Sequence, residues 1–219
     1  MGMFGHKKRD SFNSPLYLGR QKLELKKPIK YTIKSSLSAA ECWENNPDKG
    51  SDSSPKYNEQ KNVVTKFAFA TRVGHMPNNP YKLNQDAFIL APNILNLQSM
   101  HYFGVCDGHG VYGKDVSNII KQQLPAMIEQ HLYNSNLNIK NSLSQSFLDC
   151  NSLLINNSKF DINLSGSTCW TALFYGDHLY AANSGDSRAI VVGRGADESE
   201  LVVRALTRDH KPGDEDEKI

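Results

Sequence analysis

Apolar positions along the chain fall into three regimes. From residue 1 to about 60 they are sparse and unpatterned, and Pro15, Pro28, Pro47 and Pro55 break the stretch. Asn45 to Pro55 contains only Asn, Pro, Asp, Lys, Gly and Ser, which leaves little to bury. Residues 1–60 therefore read as a largely disordered N-terminal arm, with a folded unit over 61–219. Short apolar runs then predict strands at Lys66–Thr71, Asp86–Leu90 and Tyr102–Cys106, with chain breakers Met76-Pro77 and Asn79-Pro80 between the first two. Val116, Ile119, Ile120, Leu124, Met127, Ile128 and Leu132 recur at helical spacing, and Pro125 should kink or restart that helix. Leu143, Phe147, Cys150 and Leu154 mark one face of a second helix. After Gly166 the pattern returns to strands, at Thr168–Tyr175, His178–Ala182, Ala189–Val192 and Leu201–Leu206. Strands, two helices, then strands again predict an α+β fold with helices packed on a mostly antiparallel sheet.

Composition adds bounds. The 219 residues are 39% hydrophobic and 22% charged, which is ordinary globular usage and argues against wholesale disorder. No apolar run approaches the roughly 20 residues that cross a bilayer, and the N-terminus has no signal-peptide core. The net charge of +2 conceals a division. Residues 1–34 carry nine Lys or Arg against Asp10 and Glu24, while the remainder is acidic. Such an arm could touch nucleic acid, an anionic membrane or the acidic body. It has no aromatic interleaving or basic helical face, so it reads as a solvated tail and no nucleic-acid partner is expected. Cys42, Cys106, Cys150 and Cys169 show no Cys-x-x-Cys spacing, and two lie in strand-like runs. That usage predicts a reducing, intracellular setting, cytoplasmic or nuclear.

Candidate chemistry begins at Asp107-Gly108-His109-Gly110, directly after an apolar strand. The strand end would hold the Asp107 carboxylate, and the flanking glycines let backbone approach a ligand closely. A carboxylate, a carbonyl and water suit a hard cation such as Mg²⁺ or Mn²⁺. His109 beside it could donate a proton to a leaving group. Taken alone the tetrapeptide is equally a turn. Singly, Asn84-Gln85-Asp86 reads as a capped turn, Ser165-Gly166-Ser167-Thr168 as a loop before a strand, and Thr207-Arg208-Asp209-His210-Lys211-Pro212 as a strand exit leading to a helix. Asn183-Ser184-Gly185-Asp186-Ser187-Arg188 reads as a hairpin turn joining two strands.

In order, these five motifs resemble the protein phosphatase 2C family of metal-dependent protein phosphatases, over about Phe67 to Ile219. The resemblance implies a four-layer α-β-β-α sandwich with two Mg²⁺ or Mn²⁺ ions at one end of the strands. It also implies hydrolysis of phosphoserine and phosphothreonine in phosphoprotein substrates. Asp107 would bridge the two ions and serve catalysis, the Gly108 carbonyl would bind one of them, and His109 would be the general acid. Asp86 would join the metal set beside Gln85, which stands where many members have Glu. Asp186 matches a position linked to a further, weaker metal. Lys82 or Arg72 would supply phosphate contact where some members use an Arg. A monomer is expected.

The sequence also departs from the family pattern. Val111 replaces a common glycine. The Asp-Gly and Asp-Asn motifs that carry two more metal carboxylates do not follow, because Asp107-Gly108 is the one Asp-Gly and Asp-Asn does not occur. The acidic run after Pro212 looks like the first turn of a helix, so 61–219 reads as the N-terminal part of the catalytic domain. Two readings follow: a metal-dependent Ser/Thr phosphatase, or a catalytically incomplete member acting as a binding or regulatory module.

Overall fold

The computed structural model describes residues 17–22, 43–44, 57, 59–157, 162–195 and 200–217. Its strands are β1 (Tyr17–Lys22), β2 (Trp43–Glu44), β3 (Lys66–Phe67), β4 (Ala87–Pro92), β5 (Met100–Cys106), β6 (Gly108–His109), β7 (Gly166–Ser167), β8 (Cys169–Tyr175), β9 (His178–Ser184), β10 (Ile190–Arg194) and β11 (Leu201–Ala205). Two helices, α1 (Gly113–Asn134) and α2 (Ile139–Ile155), lie between β6 and β7. A five-stranded antiparallel sheet with the order β1-β9-β8-β5-β4 forms the centre.

Period-two alternation divides the sheet into two unlike faces. On one side Ala87, Ile89, Met100, Tyr102, Cys106, Cys169, Leu173 and Ala182 point into a buried cluster. Val116, Ile120, Leu124, Ile128 and Leu132 of α1 close it, together with Leu143, Phe147, Cys150 and Leu154 of α2. Each fully buried aliphatic side chain contributes about 1.5–3 kcal/mol, so this cluster is the main source of stability. The short link after Asn134 sets the helices antiparallel. His131 Nε2 meets Asp149 Oδ2 at 2.7 Å across them, and Asn138 caps α2 by accepting the Asn141 amide.

The opposite face is aromatic and half open. Phe67 packs on Phe103 and Phe69 on Phe88, with ring centroids 4.9 and 4.2 Å apart. Ala172 and Leu179 of the sheet meet Ala189 and Leu206, which brings the β10–β11 ribbon against this side. Ile190, Leu201 and Val203 of the ribbon remain exposed. Of the four implied layers, the described residues supply a helical layer, the five-stranded sheet and this two-stranded ribbon.

Four expectations are refined. Pro125 lies inside one unbroken helix. The bond it forfeits would have gone to the carbonyl of Lys121, on the exposed side, while Leu124 and Ile128 hold the buried side in place. Asn183–Arg188 does not turn a hairpin, because β9 and β10 belong to different sheets and the segment crosses between them. The strand expected over Lys66–Thr71 is ordered as strand only at Lys66–Phe67, where it pairs with β2. Within the stretch read as a disordered arm, Tyr17–Lys22 pairs with β9, from Tyr17 opposite Asn183 to Lys22 opposite His178. Its sequence lacks an apolar run, and an open sheet edge supplies the backbone partners instead. Most of residues 1–60 lies outside the described residues. Among the described residues no helix is long and apolar enough to cross a membrane.

Candidate metal centre

Sheet register brings the first two candidate ligands together. Ala87 pairs with Cys106, so Asp86, just before β4, and Asp107, just after β5, leave the same end of neighbouring strands. Their carboxyl groups lie close enough to act on each other. Partial burial, then the Asp107 carboxyl, push the Asp86 carboxyl above its ordinary value, and the Lys82 ammonium opposes the shift. Two carboxylates forced together at a strand end are hard oxygen donors whose repulsion a divalent cation would relieve. The donor set fits Mg²⁺ or Mn²⁺ in kind. Among the described residues, no third His, Cys, Asp or Glu joins them in a metal-binding cluster.

Backbone and side-chain contacts fix both strand ends. The Asp86 amide donates to Asn84 Oδ1 at 3.1 Å, the local turn anticipated from sequence, and Asn84 Nδ2 donates to Thr71 Oγ1 at 2.8 Å. Gln85 does not turn toward the carboxylates. Its Nε2 donates to the Gly110 carbonyl at 2.7 Å, while its own carbonyl accepts from Ser117 Oγ of α1 at 2.6 Å. Gln85 is thus a clamp on the Asp-Gly-His-Gly loop. Gly108 is required by close approach: a Cβ there would run into the carbonyl oxygens of Gln85 and Gly113.

Beyond Cys106 the strand pairing continues through the loop. Gly108 pairs with Ser167 and His109 with Gly166. Asp107 itself is gripped by Thr168, whose amide donates to the Asp107 carbonyl at 2.9 Å and whose Oγ1 accepts the Asp107 amide at 2.9 Å. In the sequence Thr168 stands where a loop meets the expected strand Thr168–Tyr175, with no role at the site assigned to it. Its place at the close of a Ser-Gly-Ser-Thr run beside a strand was the available signal.

The other candidates are placed as follows. His109 is half-buried and its Nε2 is shielded from solvent. Lys82 lies near enough to act on Asp86. Arg72 is exposed, on the segment before Gly74. Asp186 is exposed on the crossing between β9 and β10, without a hydrogen bond or ion pair to the Asp86–Asp107 pair. The neighbouring Arg188 grips Asp209 through two bonds, Nε to Oδ1 at 3.2 Å and Nη2 to Oδ2 at 2.6 Å, which holds the Asp209 carboxyl below its ordinary value.

Comparison with known proteins bears on the family and the fold. The sequence profile described as Protein phosphatase 2C matches residues 73–219. The chain is 32% identical over 151 residues to "Probable protein phosphatase 2C 35" of Arabidopsis thaliana, an alignment covering 69% of this chain and 42% of that protein. It is 33% identical over 117 residues to "Protein phosphatase 2C homolog 3" of Schizosaccharomyces pombe, covering 53% of this chain and 26% of the relative. The chain thus spans less than half the length of these relatives. Among solved structures, the serine-threonine phosphatase 2C of Toxoplasma gondii superposes with a TM-score of 0.52 at 20% identity, over 60% of this chain and 47% of that one. That likeness shows the α+β fold. With most of its length matched by the profile, and with the motif series, the fold and the paired strand-end carboxylates consistent with it, the chain belongs to the protein phosphatase 2C family.

Proposed function

We propose that this chain carries part of the metal site of a protein serine/threonine phosphatase, which hydrolyses phosphoserine and phosphothreonine in proteins with a metal-activated water. The pairing of Asp86 with Asp107 at aligned strand ends is the observation that carries the reading. Asp86, Asp107 and the Gly108 carbonyl would hold Mg²⁺ or Mn²⁺. An ion bound there supplies an acidified water and neutralises phosphoryl oxygens. Asp107 would orient the attacking oxygen from a strand end held by two hydrogen bonds to Thr168. Lys82 offers positive charge to the incoming phosphate, with Arg72 as the second candidate. His109 would return a proton to the departing seryl or threonyl oxygen, after its ring moves toward solvent. Asp186 is proposed to hold a weaker ion. Buried thiols at Cys106, Cys150 and Cys169 support a reducing, intracellular setting.

The second reading, a catalytically incomplete member that binds rather than hydrolyses, is favoured by one observation: no third acidic or imidazole ligand joins the pair among the described residues. Both readings are tested together. Mn²⁺ should raise the melting temperature of the wild-type chain, by an amount equivalent to about 2.7 kcal/mol at a hundredfold excess over Kd. Asp107→Asn should abolish that rise, and an undiminished rise in the variant overturns the ligand assignment. Hydrolysis of phosphopeptides by the isolated 219-residue chain is expected at or near background. Strong turnover that a chelator stops would show that other groups complete the centre and would exclude the incomplete-member reading.

A further inference from the structure

We infer that Thr168 and Ser187 are positioning residues for the metal centre, whose hydroxyl–hydroxyl bridge ties the strand end bearing Asp107 to the crossing that bears Asp186. Thr168 Oγ1 lies 2.6 Å from Ser187 Oγ, a short hydrogen bond even for a pair of hydroxyls. The same Oγ1 accepts the Asp107 amide at 2.9 Å. One oxygen therefore joins both elements. Thr168 is 3% exposed, so its side of both bonds is screened from bulk water, while Ser187 is half-buried.

The crossing is pressed onto Thr168 from its own side. Gly185 adopts φ +105°, and a Cβ there would come within 2.8 Å of Thr168 Cγ2. Asn183 Nδ2 donates to the Gly185 carbonyl at 3.0 Å and to the Arg208 carbonyl at 3.1 Å, and the His210 amide also donates to the Gly185 carbonyl. The turn before Asp186 is thus held against Thr168, and the Ser187 hydroxyl closes the contact on the far side of Asp186. Asp107 and Asp186 have no direct bond, and the Thr168 hydroxyl bonds to both of the segments that carry them. Groups that orient metal ligands from behind typically change metal affinity 10- to 100-fold when removed.

The inference rests on the metal reading of Asp107, and its test separates the two. Mn²⁺ binding is measured by titration calorimetry on the full chain for wild type, Thr168→Val, Thr168→Ser, Ser187→Ala and the Thr168→Val/Ser187→Ala pair. Thr168→Val keeps side-chain volume and should weaken binding about tenfold or more. Ser187→Ala should also weaken it, and the double variant should be no worse than Thr168→Val, because one bridge is lost once. Thr168→Ser restores the hydroxyl and should restore affinity. Amide hydrogen exchange without metal gives the second readout. Asp107 should lose protection in Thr168→Val and in Ser187→Ala while the Ile128 amide in α1 keeps its own. Unchanged Asp107 exchange in both single variants overturns the inference, as does wild-type Mn²⁺ affinity in Thr168→Val. Equal loss at Asp107 and Ile128 overturns it too, since that marks general unfolding. If the wild-type chain binds no Mn²⁺, the metal reading fails on its own and the exchange pattern still decides the bridge.

Discussion

Leu173 and Phe174 are neighbours on β8 yet live in different environments. Leu173 is fully buried beneath α1 and α2, whereas Phe174 faces the aromatic side, where its ring meets Phe103 edge-on at 6.1 Å and part of it stays in solvent. The helix-covered face is dry and densely packed, and the opposite face is shallow and partly open. The candidate centre sits at the strand ends between them. Its fixed contacts run mostly to the dry side, through Ser117 of α1 and through the ladder that β5 and β8 share.

The sharpest way to break this comparison is truncation at adjacent positions. Leu173→Ala should cost about 2–5 kcal/mol in a denaturant titration, because it leaves a cavity in a core that cannot collapse. Phe174→Ala removes a larger side chain but should cost less, about 1–2 kcal/mol, since part of its surface is already in solvent and the site opens to water. A larger loss at Phe174 would show that the open face is the true core. Next in size is Gln85→Glu. The new carboxylate cannot donate to the Gly110 carbonyl and adds charge beside Asp86, so metal-free stability should fall by about 1–2 kcal/mol. A stable variant would mean that the clamp contributes nothing.

Smallest is the pH effect, and it separates helix layer from site. Hydrogen bonds from Gln145 and then His131 hold the Asp149 carboxyl below its ordinary value. Its contribution is therefore present above the unfolded carboxylate pKa and is lost as pH falls through the folded one. Asp149→Asn should flatten that acid limb slightly. Asp86 is raised instead, so in metal-free buffer its contribution runs the other way, and stability falls as pH rises through its folded pKa. Asp86→Asn should remove that decline. Thermal melts between acid and neutral pH check both signs, and parallel changes in the two variants would contradict the assignment.

Much of this arrangement was legible in the residues. Val116, Ile120, Leu124, Ile128 and Leu132 mark α1 because a helix that covers a sheet must repeat its apolar side every 3.6 residues. The short apolar runs mark β4, β5, β8 and β9 for the equivalent reason. Asp107 stood out because its tetrapeptide, a turn when taken alone, follows a buried strand and falls in order with four other motifs. Other features depend on partners distant in sequence. Nothing in Tyr17–Lys22 reveals that β9 has a free edge, and nothing in Asn183–Arg188 shows that the chain changes sheets there. Gln85 as a clamp needs the position of the Gly110 carbonyl, which the fold alone supplies. Pro125 misled for a local reason, since its cost depends on which way the forfeited carbonyl faces.

The ladder that runs from Met100–Tyr175 to His109–Gly166 also has a consequence for the order of folding. The segment between its strands is mostly α1 and α2, whose contacts are local and whose pairing is fast. Once that helical hairpin closes, the strand residues that flank it, around His109 and Gly166, are the nearest to meet. Loop-closure entropy favours pairing from this end, so the ladder zips away from the helices toward Met100 and Tyr175. Asp107 and Thr168 would then be in register in the transition state. Weakening their contact should slow refolding more than it speeds unfolding, the reverse of what a late-forming surface loop would show.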